Sequence, residues 1–218
     1  MGIITKAATL ALGGAALLAW ATGTLPGVDG PGTAPRVNAN LPTPAELITK
    51  ARDAADGYDR DRDFGSGWAT VPGTGCNTRV YVLARDMTGE RRTGKCAIVS
   101  GVLRDTYTGQ RVPITNAARQ VQIDHVVALH DAWQSGAKEW TQARRVAFAN
   151  DPAELVAVTS AVNNAKSDKG PADWEPAAKA ARCTYTRKYV AIKAKWRLTT
   201  TAADKAAIAR SLVACAAK

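Results

Sequence analysis

The stretch Val121-Gln122-Ile123-Asp124-His125-Val126-Val127-Ala128-Leu129 restricts this chain more than any other part of it. An apolar, β-rich run ends in an acid and a histidine side by side, and the chain has only 2 histidines. A second run of strand character, Glu154-Leu155-Val156-Ala157-Val158, comes next. It is followed by Asn163-Asn164-Ala165-Lys166-Ser167-Asp168-Lys169. Strand, Asp-His, strand and a short helix opening with Asn predict a hairpin and helix core at about residues 120–170. In such a core a carboxylate and an amide oxygen hold a hard divalent cation. The imidazole accepts a proton from an attacking water, and the cation neutralises charge on a phosphodiester. A lone Asp-His pair is most often structural or solvated. The reading therefore rests on the Asn-x-x-Lys pattern, the basic charge and an export signal.

The 29 basic and 19 acidic residues give a formal charge of +10, which favours a polyanion or an anionic surface as partner. Residues 1–21 read as a signal peptide. Lys6 is their only charge, Ala7 to Ala21 is small and apolar, and Ala19-Trp20-Ala21 fits the small-x-small cleavage rule. The run is short of the roughly 20 residues that span a bilayer, which favours cleavage over an uncleaved anchor. The mature chain is then a secreted protein with no stable membrane partner. Residues 22–41, rich in Gly and Pro, read as a flexible linker, and 42–218 as one domain.

An exported chain with 4 cysteines is expected to carry two disulfides. Three pairings are open, the sequence-local one being Cys76–Cys96 with Cys183–Cys215. A Cys₄ zinc site is the rival, but the spacings lack close C-x-x-C pairs.

The fold class expected is α+β: a mainly helical domain around the hairpin and helix core, with a second small β-hairpin. Helices are predicted over about Pro44–Asp56, Cys76–Met87, Ala128–Ser135, Lys138–Phe148 and Lys179–Lys195, with a last one from Thr200–Thr201. Strands are predicted at Cys96–Leu103 and Arg111–Ile114, with a basic turn bracketed by Gly89 and Gly94. Tyr185, Tyr189, Ile192 and Trp196 form a core stripe at helical spacing. The same segment carries Lys179, Arg182, Arg187, Lys188, Lys193, Lys195 and Arg197, and its outer face is expected to meet a polyanion. His130, beside Asp131 on a helix, reads as solvated, and the charged run Asp59 to Asp63 as structural.

Gln122-Ile123-Asp124-His125-Val126-Val127-Ala128-Leu129, Asp131-Ala132-Trp133, Phe148-Ala149-Asn150-Asp151-Pro152 and Lys166-x-Asp168-Lys169, taken in order, resemble exported actinobacterial proteins of the HNH endonuclease class. The likeness extends to Phe64-Gly65-Ser66-Gly67-Trp68, Tyr107-Thr108-Gly109 and the stretch from Arg182 to Cys215, so it covers nearly everything from about residue 42 on. It implies a ββα-metal core, with Asp124 and Asn163 as metal ligands and His125 as general base. Glu154 stands where the family motif has an Asn that orients the loop carrying the base.

The expectation is an exported, metal-dependent endonuclease of low sequence specificity, monomeric and acting on DNA, with RNA as the other polymer. One Mg²⁺ (or Mn²⁺) is held by Asp124 and Asn163, and His125 Nε2 deprotonates water. Lys166 contacts phosphate, and Asp168 and Lys169 shape the turn. The alternatives are a catalytically weak or inactive nucleic-acid-binding protein and a basic cell-wall-associated protein.

Overall fold

The computed structural model describes residues 43–217; the expected signal peptide at 1–21 and linker at 22–41 lie outside the described residues. In chain order, a 3₁₀ turn at Pro44–Glu46 is followed by helices α1 (Arg60–Phe64) and α2 (Thr78–Asp86). Three strands come next, β1 (Met87–Thr93), β2 (Ala97–Arg104) and β3 (Arg111–Ile114). Helix α3 (Ala117–Gln120) leads into β4 (Val121–His125), then α4 (Leu129–Gln134), a 3₁₀ turn at Ala137–Glu139 and α5 (Gln142–Ala149). The chain continues through β5 (Leu155–Thr159), α6 (Ser160–Lys166), α7 (Lys179–Trp196) and α8 (Ala202–Ala216). This is a mixed α+β domain with two small antiparallel sheets, ordered β1-β2-β3 and β4-β5.

Strand β5 divides the core. Leu155 and Ala157 face a cluster with Val82, Leu83, Met87, Leu103, Ile114 and Ile123, supplied by α2, the larger sheet and β4. Val156 and Val158 face the other cluster, built by α4, α5, α7 and α8 around Trp133, Phe148, Tyr185, Tyr189 and Ile208. Buried on both faces, β5 is a continuous apolar run without polar alternation. Strand β4 pairs with it from Val121↔Thr159 to His125↔Leu155. Alternation then puts Gln122 and Asp124 on one face of β4.

Local chemistry sets most boundaries. Asn77 caps α2 by accepting from Val80 N, and Thr201 caps α8 by accepting from Asp204 N. Asp59 caps α1 in the same way, and its neighbour Asp63 is buried, so the acidic run builds a short helix. Both sequence-local disulfides form. Cys76–Cys96 ties the approach to α2 to the start of β2, and Cys183–Cys215 ties α7 to α8.

Four expectations are corrected. The helix expected to Asp56 stops at Glu46, and the segment after it bonds to distant backbone: Lys50 N to Thr200 O, and Asp53 N to Gln134 O. The basic stretch after Gly89 is part of strand β1 and turns only at Gly94 (φ 61°). The helix expected over Lys138–Phe148 is broken at Trp140, whose backbone is extended, and restarts with Thr141 as cap. Helix α6 begins at Ser160, so Asn163 lies inside it and does not open it. The strands and helix at 120–170 occur in the expected order, but a distinct ββα-metal core is not resolved.

Candidate functional site

Helix α6 lies over the Gln122 and Asp124 face of β4. Asn163 Nδ2 donates to Gln122 Oε1 at 2.6 Å. One helical turn on, Lys166 Nζ donates to Asp124 Oδ1 at 3.0 Å and to the carbonyl of His125 at 2.8 Å. The other carboxylate oxygen of Asp124 accepts from Tyr107 Oη at 2.5 Å. Lys166 is fully buried, and Asp124 is 6% exposed. An ammonium ion and a phenol thus surround the one carboxylate of the Asp-His pair. Burial pushes the Asp124 carboxyl above its ordinary value, against the pull of Lys166 and the Tyr107 hydrogen bond.

His125 is equally enclosed. Its Nε2 lies 3.0 Å from the carbonyl oxygen of Ala149, which can only accept, so Nε2 carries the proton and donates. Trp68 stacks on the ring at 5.9 Å between centroids, with 10° between planes. Burial lowers the imidazole pKa to about 3, so the ring is neutral at physiological pH. Glu154 fixes the turn that follows. Its carbonyl accepts from Val126 N at 3.0 Å, and its Oε1 accepts from Val127 N at 2.9 Å. Glutamate therefore supplies the loop with an acceptor where the family motif has Asn. Its Oε2 is buried without a hydrogen-bond partner among the described residues, and burial raises its pKa well above the usual carboxylate range.

These contacts overturn the metal reading. Among the described residues no group of three or more His, Cys, Asp or Glu side chains is placed to hold a metal ion. The expected Mg²⁺ or Mn²⁺ has no such site, because the Asp124 carboxylate is already paired with Lys166. Asn163 makes its hydrogen bond to Gln122, and among the described residues no hydrogen bond joins it to Asp124. With Nε2 donating to Ala149, His125 cannot take a proton on that atom. The one-metal HNH mechanism and the assignment as a metal-dependent HNH endonuclease are accordingly withdrawn. A cleft of about 440 Å³ opens between the Pro171–Glu175 turn and helices α7 and α8, and none of Asp124, His125, Asn163 and Lys166 lines it.

His130 Nδ1 meets Asp168 Oδ2 at 2.8 Å on the surface. The basic face expected on α7 is largely consumed. Lys193 is buried against Asp131 at 2.9 Å, Lys195 pairs with Asp151 and Arg182 with Glu175. Lys188 donates to the Leu155 carbonyl, and Lys179 to the Ala217 carbonyl. Two groups escaped sequence reasoning. Tyr107 carries no signal of its role beyond its motif. Lys193 stands four residues after Tyr189 and one after Ile192, so the helical stripe already places it on the buried side.

Residues 79–211 match the family described as GmrSD restriction endonucleases, C-terminal domain. A protein of Arthroderma benhamiae, described as an uncharacterized secreted protein, is 42% identical over 171 residues, covering 78% of this chain and 81% of the relative. No solved structure matches. The chain belongs to the GmrSD C-terminal domain family, and the likeness to actinobacterial HNH enzymes narrows to that, with a fungal relative. The protein is secreted, in keeping with this relative and with its two disulfides.

Proposed function

We propose that this protein is a secreted nucleic-acid-binding protein that works without a bound metal ion. The observation that carries this reading is a formal charge of +10 on a chain whose one Asp-His carboxylate is neutralised internally by Lys166. Membership of a restriction-endonuclease domain family supports nucleic acid over other polyanions. Phosphate neutralisation by lysine and arginine supplies affinity and needs no cation.

Fluorescence anisotropy with labelled single-stranded and duplex DNA and RNA, in EDTA and over a salt series, tests it. Binding should persist in EDTA and weaken linearly on a log-log plot against salt, with the oligonucleotides recovered intact. Absence of binding at low salt overturns the reading. Equal or tighter binding to an anionic cell-wall polymer turns it toward the wall-associated alternative.

A further inference from the structure

Three arginines without acidic partners among the described residues, Arg91, Arg104 and Arg111, lie on the three-stranded sheet. In β2 and β3 the register sets Arg104 directly opposite Arg111, with Val102 opposite Pro113 on the same face. Both arginines are exposed, and neither forms an ion pair among the described residues. Directly opposed residues hold their Cβ atoms about 5 Å apart, and like charges there are destabilising. The two acids of residues 87–114 are both engaged elsewhere. Glu90 pairs with Arg92, and the buried Asp105 accepts from Tyr107 N, Thr108 N, and the amide and hydroxyl of Thr159. Among the described residues no ion pair to either arginine offsets the repulsion.

Arg111 Nη2 reaches Thr88 Oγ1 at 3.4 Å, and Thr88 is paired with Val102, so a hydroxyl sits on the same face. Arg91 is exposed further along β1, past an irregularity in the pairing, and likewise has no acidic partner among the described residues. Two planar guanidinium groups at cross-strand spacing can share one phosphate and donate to it in pairs, which ammonium groups cannot do. Basic groups on the sheet that carry no internal load also contrast with those on α7, most of which are held by acids or carbonyls.

We propose that the outer face of the β1-β2-β3 sheet, centred on Arg104 and Arg111 and extended by Arg91, is a contact site for the phosphodiester backbone of nucleic acid. This rests on the nucleic-acid reading above and assigns its interface. The test compares the double variant Arg104→Gln/Arg111→Gln with Arg187→Gln/Arg210→Gln. The second pair removes the same charge from α7 and α8, where both arginines are exposed. Anisotropy with labelled oligonucleotide over a salt series is the readout, and thermal unfolding checks the fold.

The sheet variant should lose roughly tenfold or more in affinity, with the salt slope shallower by about 0.7–0.9 per lost phosphate contact. Its Tm should stay level or rise, because a like-charge pair is gone, and the control should bind nearly as the original chain does. Equal losses in the two variants mean diffuse charge and overturn the proposal. A sheet variant that binds normally places the interface elsewhere while nucleic-acid binding stands. An original chain that binds no oligonucleotide removes the function and the interface together. Loss of affinity for an anionic wall polymer alone moves the face to a different partner and overturns it too.

Discussion

Lys166 Nζ lies 3.0 Å from Asp124 Oδ1, both groups shut away from solvent, and this pair decides what the Asp-His motif can do. Its ammonium charge takes the place a divalent cation would need. Removing one member of a buried pair leaves the other uncompensated, which typically costs about 3–5 kcal/mol. Lys166→Met should therefore destabilise the domain by that order in urea unfolding. Asp124→Asn combined with Lys166→Met should recover part of the loss, since no lone charge remains. Additive losses in the double variant would show that the two side chains act independently.

The buried imidazole makes a pH signature. His125 has a pKa of about 3 in the folded protein against 6.5 ordinarily, so the unfolded chain binds a proton between these values that the folded chain refuses. Its contribution is complete above pH 6.5 and is lost as pH falls toward 3, by at most roughly 5 kcal/mol at 1.36 kcal/mol per pKa unit. His125→Gln keeps a donor for the Ala149 carbonyl and does not titrate. Unfolding free energies across this window should fall less steeply for the variant. Parallel slopes would mean that the ring is not buried in the neutral state.

Glu154 has the opposite sign. Burial raises its folded pKa well above 4.5. Its contribution is present below about that ordinary value and fades as pH rises toward the raised one. Glu154→Gln retains an oxygen for Val127 N and cannot ionise. At alkaline pH the variant should match or exceed the original chain, by about 1–3 kcal/mol. Near pH 4 the advantage should vanish. A variant less stable at every pH would show that the carboxyl group holds the loop in a way an amide cannot.

Much of the architecture was readable in residue order. Strands β4 and β5 announce themselves by apolar runs, α7 by its Tyr185, Tyr189 and Ile192 stripe, and the disulfides by local cysteine spacing. The misses share a cause: the deciding partners are distant in sequence. After Leu47 the chain could have continued as a helix, but Thr200 N bonds to Ile48 O and Lys50 N to Thr200 O, which draws the segment out straight. Strand β1 has no apolar alternation, and it is a strand because β2 pairs with it. At the site, the motif picks out Asp124, His125, Asn163 and Lys166; Lys166 bonds to Asp124 and to the His125 carbonyl, while Asn163 bonds to Gln122 instead. The direction of their bonds was not legible. Whether an ammonium group points outward to phosphate or inward to a carboxylate depends on what lies beneath α6: Lys166 meets the Asp124 carboxylate, whose other oxygen is bonded by Tyr107, seventeen positions before it.

Metal dependence follows from the same packing. A cation reaching Asp124 must displace the Lys166 ammonium and the Tyr107 hydroxyl and leave a buried lysine without its counter-charge. The cost of stranding that charge is several kcal/mol, about what a weak carboxylate site could return. Mg²⁺, Mn²⁺ and EDTA should therefore leave the Tm of the original chain unchanged, and isothermal titration should detect no saturable cation binding. Lys166→Met exposes the Asp124 carboxylate to whatever enters from the α6 side. That variant should gain stability on addition of Mn²⁺ if the carboxylate alone limits access. A rise in the Tm of the original chain with Mn²⁺, abolished by Asp124→Asn, would mean that Lys166 yields its place to the ion and that the closed arrangement is not the resting state.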